Sequence, residues 1–370
     1  MPRILILTAS MGEGHNTAAR NIRDALLVEG GSDVEALVAD PYTRTNPVIN
    51  KLMQKGYTTA INNYPRAWKV VFELLSRRGV VEGMGPMLTE LTAGVEAIID
   101  EFHPDVIAST YPVFSFLIAK IRKRKSSLTM PFFTMITDST MINSAWYRWS
   151  SDGSIVADEQ TADVLRNDGV ARDTIHVLGF PVSKAFESLD PAPAPMDGNW
   201  KAIFFPGGVS KFAVQVLTAL GEIPQLQVTV VTGRRQNVFQ SLQSAQLPKR
   251  GALVGWTDDM PGLMTSHHFF VGKAGGATVQ EAIVAQIPFL VSHVVPGQEE
   301  GNIALIEQTG IGALAVGAPE RVRDMIRGAI TNNGTLWKAW RANLATLKKP
   351  PASRAIARFL LARADKALHN

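Results

Sequence analysis

A histidine in a short polar turn is the first candidate for chemistry in this chain. His15 follows the tight turn from Gly12 to Gly14, between a predicted first strand and a predicted first helix. Ligands of α/β proteins bind at this end of a strand. An imidazole there could take a proton from an acceptor hydroxyl, because its unperturbed pKa lies near neutrality. The alternative is a residue that only caps the helix, and the spacing alone favours that alternative.

A second polar turn is typical of a phosphate site. Gly275 and Gly276 let the backbone approach a ligand, and a helix predicted to begin near Ala277 directs unpaired N–H groups at that place. Lys273 could pair with the phosphate or be an ordinary charge at a strand end. Glu281 lies one helical turn later, where it could accept both hydroxyls of a ribose or be an exposed helix glutamate.

Two further turns follow neighbouring predicted strands. Gln298 and Glu299 lie in the segment Pro-Gly-Gln-Glu-Glu-Gly-Asn at 296–302, where they could bind hydroxyls of the same ligand. Trp256 and Thr257 follow another strand, where a base could pack on the indole ring and meet the backbone of the threonine. A tryptophan at such a place is as often part of the core.

Several kinds of site lack their residues. The chain has no cysteine, which excludes disulfides, thiolate metal sites and a cysteine nucleophile. It also has no Asp-x-Asp, no P-loop and no Gly-x-Ser-x-Gly. Asp258 and Asp259 are interpreted as helix-capping residues, and adjacent His267 and His268 do not have the spacing of zinc ligands. We therefore expect neither a metal nor a cofactor.

Composition indicates an ordinary α/β protein. With 370 residues, 46% hydrophobic, 19% charged and a net charge of +4, the chain is long enough for two domains. It shows neither a signal peptide nor an apolar run long enough to span a membrane. We expect a cytoplasmic protein.

The two halves of the chain begin alike. Strands at 3–7 and 201–205 are each followed by a glycine-containing loop and a helix, the opening unit of a doubly wound sheet. Helix-length segments separate most of the other predicted strands, which favours parallel sheets covered on both faces. These other strands are 34–38, 105–109, 132–136, 153–156, 175–178, 227–231, 252–254, 269–271, 289–291 and 313–315.

The pattern predicts a first domain at 1–185, a proline-rich linker at 186–199, a second domain at 200–335 and a helical C-terminal segment at 336–370. A cleft is expected between the domains. The last helix, at about 352–368, has an apolar face and is expected to dock back on the first domain.

Two segments raise the question of a membrane surface. The segment 45–92 has helical periodicity and interleaves aromatic with basic residues, so it is either a packed helical pair or an amphipathic element on a bilayer. A basic run is either a solvated helix end or an attraction to anionic lipid. Its members are Lys120, Arg122, Lys123, Arg124 and Lys125.

The motifs together resemble the monogalactosyldiacylglycerol synthase and processive diacylglycerol glucosyltransferase group, which is related to the lipid-linked N-acetylglucosaminyltransferase of peptidoglycan synthesis. They occur in collinear order over nearly the whole chain. They are the segments 4–15, 137–138 with Trp146, 255–257, 273–278 and 296–302. Two places depart from the family pattern: the donor loop is Pro-Gly-Gly-Val at 206–209, and Asn143-Ser144 stand where His-Pro often occurs.

The resemblance implies a GT-B fold, that is, two Rossmann-like domains, with a UDP-sugar held by the second domain and a lipid acceptor entering through the first. It implies inversion at the anomeric carbon without a metal. By motif, His15 corresponds to the general base. The donor-binding positions are Gly207, Gly208, Gly233, Arg234, Trp256, Thr257, Lys273, Gly275, Gly276, Ala277, Thr278, Glu281, Gln298 and Glu299. The acceptor-side positions are Gly14, Pro112, Asp138 and Trp146.

The predicted function is transfer of galactose or glucose from its UDP derivative to a diacylglycerol-type lipid at an anionic membrane surface, with no nucleic acid as partner. A UDP-N-acetylhexosamine 2-epimerase and a non-catalytic nucleotide-sugar-binding protein are the alternatives. Residue types do not decide between glucose and galactose, since the two differ in the orientation of one hydroxyl.

Overall fold

The computed structural model describes residues 1–45, 47–75, 79–84, 86–139, 141–149, 151–206, 210–244, 248–297, 299–347 and 352–369. The chain forms two compact units. Unit 1 consists of Met1–Lys184 and Pro350–Asn370, and unit 2 consists of Ala185–Lys349. Unit 2 thus includes the segment 186–199 that the sequence predicts to be a linker. In that segment, Ala192 N donates to Thr265 O at 2.6 Å.

Unit 1 contains a parallel sheet of six strands in the order β2-β1-β3-β4-β5-β6. All residues of β3, β4 and β5 are buried, as expected for strands covered on both faces. The strands are β1 Arg3–Leu7, β2 Glu35–Ala39, β3 Val106–Ser109, β4 Phe132–Met135, β5 Gly153–Val156 and β6 Ile175–Val177.

In the described part of unit 1, seven α-helices precede its last strand or lie between its strands. Proline is the first residue of four of them, a position where its missing N–H would have no intrahelical partner. The helices are α1 Glu13–Gly30, α2 Pro41–Thr45, α3 Pro47–Asn63, α4 Pro65–Leu75, α5 Pro86–Phe102, α6 Val113–Arg124 and α7 Glu159–Asn167.

Unit 2 repeats this plan with a parallel sheet in the order β12-β11-β10-β7-β8-β9. Its strands are β7 Trp200–Phe204, β8 Leu226–Val231, β9 Gly251–Val254, β10 Phe269–Lys273, β11 Phe289–His293 and β12 Gly312–Leu314. Its helices are α8 Ser210–Gly221, α9 Gln236–Gln243, α10 Met260–Ser266, α11 Gly276–Ala285, α12 Glu300–Thr309 and α13 Pro319–Leu347. Left-handed backbone at Asn332, Asn333 and Gly334 interrupts α13.

The two adjacent histidines of unit 2 are core residues. His267 Nε2 lies 2.9 Å from Thr229 Oγ1, and His268 Nδ1 accepts from Lys201 N at 2.9 Å. The backbone oxygen of His268 also accepts from Trp337 Nε1 at 2.8 Å. These bonds join β7, β8 and α13, so both imidazoles are engaged within unit 2.

The last helix, α14 Ala352–His369, belongs to unit 1. Ile356 and Leu360 on its apolar face are fully buried. Phe359 packs edge-on against Phe133 of β4, with ring centroids 5.0 Å apart. Glu29 of α1 holds the helix by ion pairs with Arg354 at 2.6 Å and with Arg358 at 2.5 Å. The expectation that the chain ends on the first domain is confirmed.

The sequence predicted all twelve strands, each to within two residues at either end. No helix in the described ranges is both long enough and apolar enough to cross a membrane.

Candidate active site

The backbone between β1 and α1 is shaped by a glycine and an aspartate. Gly12 precedes α1 with a φ of 153°, a conformation that L side chains rarely adopt. Asp40, which follows β2, accepts from Ser10 N at 3.0 Å and from Ser10 Oγ at 2.6 Å. These contacts place His15 as the third residue of α1.

Hydroxyl and amide side chains below the turn continue this network. Asn16 Nδ2 donates to Ser10 Oγ at 3.1 Å, and Thr8 Oγ1 donates to Asn16 Oδ1 at 3.0 Å. Thr110, which follows β3, donates to Thr8 Oγ1 at 3.0 Å and to the backbone oxygen of His15 at 3.1 Å. The backbone at His15 is therefore fixed from β1, β2 and β3.

The imidazole of His15 is held by a neighbouring hydroxyl and by aromatic rings. Its Nδ1 lies 2.9 Å from Thr137 Oγ1, and its ring meets the edge of Tyr111 and packs near Trp146, at centroid distances of 5.1 and 6.0 Å. Burial lowers the pKa of His15 to about 4, so the ring is neutral near pH 7. A hydrogen bond between the imidazole and the backbone of Thr110 acts in the opposite direction and raises this pKa. If Nδ1 carries the hydrogen, Nε2 carries the lone pair that can accept a proton.

Of the predicted acceptor-side residues, Trp146 packs near this histidine, and Asp138 contacts Trp146. Asp138 Oδ2 accepts from Trp146 Nε1 at 2.7 Å, and burial raises the pKa of Asp138 to about 6. Gly14 precedes His15 in α1, and Pro112 stands at the start of α6. Ser115 Oγ connects Pro112 to the loop of Trp146 by donating to the backbone oxygens of Pro112 and Ala145.

Asn143, which departs from the family pattern, and Glu13, two residues before His15, have other contacts. Asn143 Oδ1 accepts from Ala145 N at 3.0 Å and so caps the short 3-10 helix Ser144–Trp146. Glu13 is exposed and pairs with Arg20 at 2.5 Å on the outer face of α1. Its carboxylate is therefore engaged away from the imidazole contacts of His15.

In unit 2, the ends of β10 and β11 carry an ion pair. Lys273 Nζ lies 2.6 Å from Glu299 Oε1, while Glu299 Oε2 accepts from Val295 N at 3.0 Å. Glu299 is only 2% exposed, so both of its oxygens serve the fold. The predicted contact of Glu299 with sugar hydroxyls stays a prediction.

The start of α11 has the geometry of an anion site. Gly275 precedes the helix, and a Cβ at this position would lie 3.1 Å from Lys273 Nζ, so glycine leaves room for that ammonium group. Gly276, Ala277 and Thr278 form the first turn and are partly exposed, and N–H groups of a first turn lack intrahelical partners.

Glu281 lies later on the same helix. Its side chain is partly exposed, yet burial of the carboxyl raises its pKa to about 7. Near neutral pH this group is therefore easily converted between its charged and neutral forms.

The predicted base-binding residues form an exposed stack at the ends of β8 and β9. Gly233 has a left-handed φ of 62°, and the guanidinium of Arg234 lies 3.6 Å above the ring of Trp256. Trp256 is 44% exposed. Thr257 Oγ1 accepts from Asp259 N at 3.0 Å, and Asp259 caps α10 as predicted. Gly207, Gly208 and Gln298, which the sequence predicts to bind the donor, lie outside the described residues.

Two polar residues at this edge of unit 2 were not indicated by the motifs. Arg235 follows Arg234, and its guanidinium lies 5.7 Å from the ring centroid of Phe205. His293 ends β11 beside Lys273 of β10. A histidine at the carboxyl end of an otherwise apolar strand was the available signal for His293. Nothing in the sequence indicates that the side chains of Arg234 and Arg235 contact different aromatic rings.

The chain is similar to known proteins over most of its length. Residues 15–182 match the family model of monogalactosyldiacylglycerol (MGDG) synthase. The probable monogalactosyldiacylglycerol synthase 2, chloroplastic, of Oryza sativa subsp. indica is 26% identical over 372 residues, covering 94% of this chain and 78% of that protein. The processive diacylglycerol beta-glucosyltransferase of Staphylococcus saprophyticus is 25% identical over 347 residues, covering 90% and 85%.

The solved structure of Acinetobacter baumannii MurG superposes with a TM-score of 0.65 at 14% identity, covering 98% of this chain and 100% of that one. The two parallel six-stranded sheets with their flanking helices define the GT-B glycosyltransferase fold. The resemblance inferred from the motifs is confirmed, and the chain is a glycosyltransferase related to the MGDG synthases and the processive diacylglycerol glucosyltransferases.

Proposed function

We propose that this chain transfers a hexose from a UDP-sugar to the hydroxyl of diacylglycerol or a closely related membrane lipid, with inversion at the anomeric carbon. The observation that carries the proposal is His15, a neutral imidazole held between the hydroxyl of Thr137 and the backbone of Thr110, in the segment that matches the MGDG synthase model. The named relatives act on diacylglycerol or form its galactoside.

The proposed reaction has one base and one leaving group. His15 Nε2 takes the proton of the lipid hydroxyl as the hydroxyl oxygen bonds to the anomeric carbon. The bond between that carbon and the phosphate oxygen breaks, and its electron pair leaves with UDP. Attack on the face opposite to the leaving group inverts the configuration. The transfer requires the tautomer with hydrogen on Nδ1, in which Nδ1 donates to the Thr137 hydroxyl.

Unit 2 offers groups suited to each part of UDP. Trp256 presents an exposed ring for the uracil, and Glu281 presents a carboxylate for the ribose hydroxyls. The first turn of α11 presents N–H groups and the positive end of a helix dipole to the diphosphate. These groups stabilise negative charge on the departing UDP.

The direct test incubates the pure protein with radiolabelled UDP-glucose or UDP-galactose and vesicles containing diacylglycerol. We expect label in a chloroform-soluble glycolipid with one of the two donors, and proton NMR of the product to show the β anomer. A His15→Ala protein is the control for enzyme-dependent transfer. Label that stays water-soluble, or a donor returned with an altered sugar configuration, would contradict lipid transfer.

We further propose that α3 and α4 contact the membrane surface that holds the acceptor. Large apolar side chains are exposed on these helices, and amphipathic helices of this kind lie at lipid interfaces. They are Leu52 of α3, Val70, Val71 and Leu74 of α4, and Tyr64 between the two helices. Tyr57 and Trp68 pack edge-on at 4.9 Å and link the two helices. Exposed Lys51 and Lys55 favour an anionic surface.

The basic run of α6 contributes less to this surface than its sequence suggests. Arg122 pairs with Asp152 at 2.7 Å, Lys125 pairs with Asp100 at 2.9 Å, and Arg124 pairs with Glu96. These three cations therefore have partners within unit 1.

Vesicle co-sedimentation tests the membrane contact. Binding should rise with anionic lipid content, fall with salt, and weaken when Leu52 and Val70 are both changed to Glu. Leu336→Glu, at an exposed leucine of unit 2, is the matched control and should bind as the unaltered protein does. Equal binding of all these proteins would remove α3 and α4 from the contact.

A further inference from the structure

The cations at the carboxyl edge of the unit 2 sheet are not equally available to a ligand. The charge of Lys273 is compensated by Glu299, whose carboxylate lies 2.6 Å away and is itself buried. Arg234 is exposed and stacks on Trp256. Neither is a buried cation that needs an anion.

Arg235 differs from both. The left-handed turn at Gly233 precedes it, and its guanidinium lies over Phe205, the residue that follows β7. The residue is partly buried, and burial lowers the pKa of its guanidinium. No described carboxylate forms an ion pair with it. A guanidinium removed from water without a carboxylate partner is stabilised by a bound anion.

His293 supplies a second unsatisfied group at this edge. Its Nδ1 lies 3.0 Å from Ser292 Oγ, whereas its buried Nε2 has no hydrogen-bond partner among the described residues. Burial first, and then the charges of Lys273 and Arg235, lower the pKa of His293 to about 4, while Glu299 acts in the opposite direction. The imidazole is therefore neutral near pH 7, and with Ser292 donating to Nδ1 its Nε2 carries a hydrogen.

We propose that Arg235 and His293 bind the diphosphate of the UDP-sugar, Arg235 by charge and bidentate hydrogen bonds and His293 by donation from Nε2. The inference rests on the proposed function, which makes a nucleoside diphosphate the ligand of unit 2. Arg235, rather than Lys273, is then the main cation that stabilises the leaving group, because Lys273 already has a buried carboxylate partner. Planar guanidinium groups match phosphate oxygens in pairs.

The test measures affinity for UDP by calorimetry and affinity for uridine by competition, on the full chain. Arg235→Gln should weaken UDP binding by about ten-fold to a hundred-fold and leave uridine binding unchanged. Arg235→Lys keeps the charge and should recover part of the loss. His293→Ala should weaken UDP binding by about two-fold to ten-fold, and His293→Gln, which keeps an N–H, by less.

Arg250→Gln is the matched control, because Arg250 is exposed at the opposite end of β9, where it donates to Asn199 Oδ1 at 2.6 Å. It should bind UDP and uridine normally. Equal losses of UDP and uridine affinity in Arg235→Gln, or no loss in either Arg235 variant, would overturn the inference while the unaltered protein still bound UDP. Failure of the unaltered protein to bind UDP would instead overturn the proposed function.

Discussion

The two candidate sites differ in how far their polar side chains are hydrogen-bonded within the protein. Around His15 in unit 1, Thr8, Asn16 and Ser10 form a chain of internal hydrogen bonds that ends on Asp40. At the edge of unit 2, the guanidinium of Arg235 lacks a carboxylate partner, and His293 Nε2 is buried without a hydrogen bond among the described residues.

This difference matches what each site is proposed to do. A base must be held in one tautomer and one orientation before the hydroxyl arrives, so its supports belong to the fold. A binding site for a dianionic group can leave its donors unsatisfied, because the ligand provides the acceptors. We therefore expect changes in unit 1 to affect turnover and changes in unit 2 to affect donor affinity.

The largest expected effect is on turnover. His15→Ala should lower transfer to diacylglycerol by about 100-fold to 10,000-fold and leave UDP affinity unchanged, because the residue belongs to unit 1. Steady-state kinetics and calorimetry measure the two quantities. Glu13→Gln, two residues before His15 and exposed, should keep its turnover. If His15→Ala keeps more than about a third of turnover, the base lies elsewhere, and Asp138 becomes the leading candidate.

The pH dependence of turnover separates these two candidate bases. A base acts in its deprotonated form, so turnover should fall as pH drops through the pKa of that base. The pKa of His15 is lowered to about 4, whereas that of Asp138 is raised to about 6. With His15 as base, turnover at saturating donor should be level from pH 7 to about 5 and fall near 4. A ten-fold fall per pH unit beginning near 6 would assign the role to Asp138.

The sequence predicted the strands well because parallel strands buried on both faces are apolar runs that end at polar turns. The ends were less certain where a strand closes with polar residues. β10 continues to Lys273 and β11 to His293, each two residues beyond its predicted end. Backbone pairing does not depend on side-chain polarity, so the apolar pattern stops before the strand does.

The side-chain partners in the sites could not be predicted in the same way. The sequence motifs indicated His15 and Glu299 as candidates. They could not show that Thr137 contacts the imidazole or that Lys273 and Val295 use both oxygens of Glu299. Each of these contacts joins residues from different elements, so it depends on tertiary packing.

A smaller effect is expected in unit 2, on donor affinity. Glu281→Ala removes an acceptor for ribose hydroxyls and should weaken UDP-glucose or UDP-galactose binding by about ten-fold to a hundred-fold, with turnover at saturating donor much less changed. Burial raises the pKa of Glu281 to about 7, and the charged form is the better acceptor. Affinity should therefore weaken as pH falls through 7.

Glu281→Gln provides the control for this pH dependence, since its side chain cannot ionise. Calorimetry between pH 6 and 8 should show affinity changing with pH in the unaltered protein and constant affinity in this variant. If donor affinity changed with pH equally in both proteins, Glu281 would not be the residue that binds the ribose hydroxyls.

The smallest effect is expected from chelation. The sequence has no Asp-x-Asp, and no three His, Asp or Glu side chains in the described ranges are grouped so that they could hold a metal ion. The first turn of α11 and the guanidinium of Arg235 are proposed to stabilise the diphosphate instead. Turnover after dialysis against EDTA should therefore equal that of the untreated enzyme, with residual metal measured by mass spectrometry. Loss of turnover that magnesium or manganese restores would contradict this prediction. The side chains and helix dipole of unit 2 would then not stabilise the departing UDP without a cation that binds together with the donor.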